Sequence, residues 1–148
     1  SPDVSLTLCV PEPAWNNYML GLDRPLPPNV RVVHESGEGL RSLYATADLC
    51  LLYFPSSPYR EFAVPVKLYE YLAHGRPVLA TEGSHSGSLL EEEGLGWAIP
   101  YGEKALESFL EESKSNPSQM RSRNTAAAQF AQNQTWEARA ETVAAALS

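Results

Sequence analysis

Five short apolar runs, each bounded by turn residues, limit what this chain can fold into more than any other feature: Val4 to Val10, Val30 to Val33, Leu49 to Phe54, Pro77 to Thr81 and Trp97 to Pro100. The runs are continuous rather than alternating, which is the pattern of strands covered on both faces. Between them lie stretches with helical spacing, Ala14 to Leu20, Glu38 to Ala47, Pro65 to His74 and Gly87 to Glu93. A β-α-β-α order of this kind predicts a mainly parallel sheet with right-handed crossovers. After the last run the chain becomes wholly helical. Leu106, Phe109 and Leu110 share one face, and Asn116-Pro117 ends that helix and opens the next, marked by Met120, Asn124, Ala127, Ala128 and Ala131. Thr135 can cap a last helix in which Trp136, Ala140, Val143, Ala144 and Leu147 recur. The expected fold is α/β: a Rossmann-like three-layer αβα arrangement with a five-stranded, mainly parallel sheet and a helical C-terminal tail. Residues 1–148 read as one domain, with 103–148 its C-terminal helices.

Composition excludes several functions. Eighteen acidic residues against eleven basic ones give a net charge of −7, whereas a nucleic-acid binder needs clustered Lys and Arg to neutralise phosphates. No apolar run approaches the roughly 20 residues of a transmembrane segment, and no signal-peptide pattern opens the chain. Cys9 and Cys50 each lie inside an apolar run, which predicts two buried thiols in a reducing compartment rather than a disulfide. These two, with His34, His74 and His85, match no metal-ligand spacing. Asp3, Asp23 and Asp48 are isolated, so no Asp-x-Asp pair offers itself to Mg²⁺ or Mn²⁺.

In an open parallel sheet ligands bind beyond the carboxyl ends of the strands. The longest polar connection there runs from Pro55 to Val64 and ends at Pro65-Val66-Lys67. Pro65 suits the first position of a helix, where its missing N–H costs nothing. The amides of Val66, Lys67 and Leu68 then face outward with the positive end of the helix dipole behind them, and Lys67 adds a full charge: an anion site. Glu70 follows three residues later, about 4.5 Å further along the axis. A carboxylate there does not suit a phosphate, but it can accept from two vicinal hydroxyls of a ribose. The alternative is an ordinary i,i+3 surface ion pair worth a few tenths of a kcal/mol.

The run from Val64 to Thr81, with Ala73-His-Gly75-Arg-Pro77-Val-Leu-Ala80 at its end, resembles the signature of family 4-like retaining glycosyltransferases with the GT-B fold. Asn29-Val30, Leu43-Tyr44-Ala45, Ala47-Asp48, Gly94-x-Gly96 and Thr135-Trp136 extend the resemblance over nearly the whole chain, to that family's C-terminal, donor-nucleotide-binding domain. It implies that Glu70 holds the nucleotide ribose and that Lys67 and the helix-start amides, Val66 among them, hold the diphosphate. The first Glu of the family's Glu-x7-Glu motif would fall at Phe62. Glu61 sits one place earlier and takes the catalytic-site role facing the donor sugar only with a loop one residue longer. Arg60 can meet phosphate, and His34 and Glu35 fall where the family lines its nucleobase pocket. His85 lies in the Gly83 to Gly87 turn, and His74 precedes the helix-ending Gly75.

The resemblance further implies a metal-independent transfer of a hexosyl group from a nucleotide-diphosphate sugar, with no cofactor. The partner would be an N-terminal acceptor-binding domain of the same enzyme, in the cytoplasm or peripheral to a membrane. The family's donor domain usually opens with one more strand and helix, and here Val4 to Val10 matches its second strand. With that central strand absent, the order 3-2-1-4-5-6 becomes 2-1-3-4-5, which can still close as one sheet. The missing initiator Met and the abrupt first strand fit an excised piece. The alternative reading is a non-catalytic α/β nucleotide-binding or protein-interaction domain. A response-regulator-like module would want more acids than Glu12 at the end of the first strand, and a dinucleotide oxidoreductase would want Gly-x-Gly-x-x-Gly, which follows no strand here.

Overall fold

The computed structural model describes residues 3–19, 25–132, 134 and 144–145. Its contacts divide the chain into two compact units, Ser1–Ala45 and Thr46–Ser148. The expected last helix from Thr135 to Leu147 lies almost wholly outside the described residues.

In the first unit the order is β1 (Leu6–Cys9), α1 (Glu12–Met19), β2 (Val30–Val33) and the start of α2 (Gly37–Thr46). β1 and β2 pair in parallel with Leu6 opposite Val30 and Cys9 opposite Val33. The Leu6 amide donates to the Asn29 carbonyl at 2.9 Å and the Val10 amide to the Val33 carbonyl at 3.1 Å, so the ladder is closed at both ends. β1 corrects the expectation of coverage on both faces. Leu6 and Leu8 are half-buried while Thr7 and Cys9 are exposed. Thr7 faces Arg31 across the ladder, and the guanidinium donates to Thr7 Oγ1 at 3.3 Å, so this face carries a polar cross-strand pair. Cys9 is accordingly an exposed free thiol, against the expectation of two buried ones; Cys50 is buried.

The second unit holds β3 (Cys50–Leu52), α3 (Pro58–Phe62), α4 (Val66–Ala73), β4 (Val78–Thr81), α5 (His85–Glu92), β5 (Gly96–Ile99), α6 (Glu103–Ser115) and α7 (Pro117–Gln132). Its strands pair in parallel in the order β3-β4-β5, with Leu52 opposite Ala80 and Thr81 opposite Ile99. Here the continuous apolar runs mean what they predict: every residue of β4 is buried. Leu68 and Leu72 of α4, and Leu90 and Leu95 around the end of α5, none of them more than 1% exposed, complete the core.

Two glycines end helices so that the next strand can start. After α4, Gly75 takes φ 64°, its amide donates to the Leu72 carbonyl and the Arg76 amide to the Tyr71 carbonyl, a Schellman stop. Gly94 repeats it after α5, also at φ 64°, with the Leu95 amide on the Leu90 carbonyl. α7 is fixed to β5 by Arg123, whose guanidinium lies 4.5 Å from the Trp97 ring centre and donates to the Gly96 carbonyl. The boundary read at Asn116-Pro117 is the observed break between α6 and α7.

The architecture is mixed α/β with parallel strands and a helical C-terminal region, as expected, but the five strands do not form one sheet. They form a sheet of two and a sheet of three. The ladders present join strands linked by their own crossovers, β1 to β2, β3 to β4 and β4 to β5.

Candidate functional site

The carboxyl ends of β3, β4 and β5 carry the loops that can bear chemistry. α4 is set there by its own buried stripe: Leu68 and Leu72, four residues apart, are fully buried, which turns Lys67 and Glu70 toward solvent. Pro65 is the N-cap, at φ −66° and ψ 137°, rather than the first helical residue, and no side chain caps the helix. The Leu68 amide donates back to the Pro65 carbonyl at 3.0 Å, so it is not among the outward amides. Those of Val66 and Lys67 precede it.

Lys67 Nζ lies 2.6 Å from Glu70 Oε2, with the two side chains 49% and 40% exposed. Sequence spacing placed these two on one side of the helix, and the structure brings them into contact. At that exposure the pair contributes about 0.2–1 kcal/mol. Arg60 is held differently: its guanidinium lies 4.2 Å over the centre of the Phe54 ring. Glu61 is exposed on α3, a one-turn helix that packs on α5 and that the sequence reading takes as loop. Tyr59 and Phe62, on the same turn, are 69% and 70% exposed with their rings edge to face at 5.6 Å.

His34 and Glu35 belong to the first unit. The Val10 carbonyl lies 2.8 Å from His34 Nδ1. A carbonyl has no proton to give, so Nδ1 is the donor of this bond. The Glu35 carbonyl accepts from the Cys9 thiol at 3.4 Å, and its carboxylate reaches over Gly39, in the first turn of α2, where the helix dipole favours an anion. His74 is the C-cap of α4. His85 is exposed at the start of α5.

Two residues at the strand ends are missing from the sequence reading. Thr81 Oγ1 accepts the Phe54 amide at 2.9 Å and donates to the Phe54 carbonyl at 2.6 Å. The Tyr53 hydroxyl accepts the Gly102 amide at 2.7 Å and lies 2.6 Å from the Pro100 carbonyl. The only signal for Thr81 in the sequence is a β-branched hydroxyl at the end of an apolar run, and for Tyr53 an aromatic with a polar tip at a strand end. Among the described residues no group of three His, Cys, Asp or Glu side chains comes together to hold a metal ion, and no helix is long and apolar enough to cross a membrane.

No family model matches the chain, and no curated protein does. Among solved structures, a sucrose-phosphate synthase from Thermosynechococcus elongatus matches with a TM-score of 0.63 at 20% identity, over 92% of this chain and 32% of that one. This chain therefore spans about a third of that protein's length and shares with it a glycosyltransferase-like α/β fold.

Proposed function

We propose that this chain is the donor-binding domain of a family 4-like retaining glycosyltransferase, which moves a hexosyl group from a nucleotide-diphosphate sugar to an acceptor. The observation that carries the reading is the uncapped start of α4 with Lys67 and Glu70 in contact one turn in, on a fold of the glycosyltransferase type. The Val66 and Lys67 amides and the Lys67 ammonium take the diphosphate, Arg60 adds charge from α3, and Glu70 accepts from the ribose hydroxyls. When the bond between the sugar's anomeric carbon and the diphosphate oxygen breaks, the electron pair stays on the diphosphate. Donors fixed at that position stabilise the growing charge, the part a divalent cation plays elsewhere. The acceptor hydroxyl then bonds to the anomeric carbon and gives its proton to the departing diphosphate oxygen.

Glu61 is the candidate to face the sugar, and the nucleobase role of His34 and Glu35 rests on the resemblance alone. The acceptor would be held by a further, N-terminal domain of the same enzyme, in the cytoplasm or at a membrane surface. The exposed Tyr59, Phe62 and Val66 favour a second reading, a protein-interaction domain without catalysis.

Calorimetric titration with UDP, GDP and dTDP, without added metal, separates the two. One of the three should bind the wild type, and Glu70→Ala should weaken it about tenfold, or ~1.4 kcal/mol. Failure of all three to bind, or equal binding by the variant, would overturn the donor-site assignment and leave the interaction reading.

A further inference from the structure

We propose that Thr81 is a positioning residue for this site, holding from one buried point the two loops that leave the sheet at β3 and β4. Thr81 is 4% exposed, one of two buried polar residues among those described. The β3–β4 ladder ends with Leu52 opposite Ala80, and Phe54 lies two residues beyond it. There the Thr81 hydroxyl meets both backbone groups of Phe54, taking its N–H and giving its own proton to the carbonyl. One hydroxyl has the donor and the lone pairs for both bonds. The side chain thus supplies what a further rung of backbone would, and β4 itself is free to turn away at Gly83, where φ is 77°.

The second loop hangs on the same residue. The Thr81 carbonyl accepts from Ser84 Oγ at 2.6 Å, and that oxygen accepts the Gly87 amide at 3.0 Å, capping α5. Phe54 opens the connection that runs through α3 to Pro65 and the start of α4. With its N–H and C=O both held, the direction in which that connection leaves the sheet is set, and with it the backbone from which the ring under Arg60 projects.

The consequence for ligand rests on the nucleotide reading above; the hold on the loop does not. The test compares Thr81→Val, which keeps the shape and loses the hydroxyl, with Thr81→Ser, which keeps the hydroxyl. The probes are UDP, GDP and dTDP by calorimetry, with thermal unfolding without ligand, and amide hydrogen exchange across residues 54–66. A Leu106→Ala control, at a half-buried position of α6, removes packing away from the site. T81V should weaken the bound nucleotide about tenfold and accelerate exchange in 54–66, T81S should bind within about twofold of wild type, and the control should bind normally. If T81V does not fold, T81C, with its poorly bonding thiol, replaces it. Wild-type affinity and exchange in T81V, equal losses in T81V and T81S, or equal loss in the control would each overturn the proposal. Should the wild type bind none of the three probes, the nucleotide reading is what fails. Exchange then decides the Thr81 assignment: acceleration in 54–66 with T81V and not T81S upholds it, and no change overturns it.

Discussion

The two cysteines show how far one residue's surroundings decide its chemistry. Cys50 is buried in β3, and loss of solvent pushes its thiol from 9.0 up to about 12, with the nearby Arg76 pulling weakly the other way. Between these values the unfolded chain has lost the proton that the folded chain keeps. Stability is therefore full below about pH 9 and falls as pH rises toward 12, at up to about 1.4 kcal/mol per pH unit for this one group. Cys50→Ala should flatten that alkaline fall when unfolding is followed by denaturant titration at stepped pH. In the native protein near neutral pH a thiol reagent should modify one cysteine, Cys9, and in denaturant two. The sequence was misleading here for a plain reason. In Leu-Thr-Leu-Cys the cysteine counts as apolar, yet Thr7 already marks the outward face, and Cys9 shares it.

At the scale of elements, the glycines test whether the strands and helix stops are read correctly. A Cβ on Gly96 would sit on the Val78 carbonyl oxygen, a backbone atom of the neighbouring strand, so Gly96→Ala must push β4 and β5 apart. A Cβ on Gly75 meets only ordinary contact, the Ala128 Cβ at 3.4 Å, and its cost is the left-handed backbone, about 1–2 kcal/mol. Gly96→Ala should therefore lower the thermal midpoint further, with a loss of about 3 kcal/mol. The stop after α4 was legible because Gly ends helices by its left-handed freedom, and the five strands because each is a short run between turn residues, unbroken in β4, where both faces are buried, though one face of β1 and Arg31 of β2 are exposed. α3 was not legible. A single turn, Pro-Tyr-Arg-Glu-Phe, is too short to show a period, and its aromatics point to solvent. The division into two sheets was equally hidden, since a ladder between strands far apart in sequence leaves no pattern in either of them. For the site, the Lys67–Glu70 contact could be read from helical spacing, whereas the Thr81 and Tyr53 bonds depend on where strands end in space.

Taken whole, the molecule is unevenly built. Of the buried apolar residues that make its core among the described residues, Tyr44 alone belongs to the first unit and the rest, from Cys50 to Ala127, to the second. Local opening follows such differences in burial. Amide exchange should be fastest in β1 and β2 and slowest in β4, by several orders of magnitude; equal protection in both sheets would contradict this distribution of core. The uneven placing of charge has its own effect on what reaches the site. A chain with net charge −7 repels an approaching dianion at long range. Arg60 rests on a ring face rather than on a carboxylate, and a ring's quadrupole orients a cation without cancelling it, so its charge is still felt outside the loop. In about 0.15 M salt that reach is about 8 Å. On the donor-site reading, an anion would be captured only once it had come within a few water layers of α3, and salt, by screening the distant repulsion, would ease the approach while leaving the short final step largely untouched.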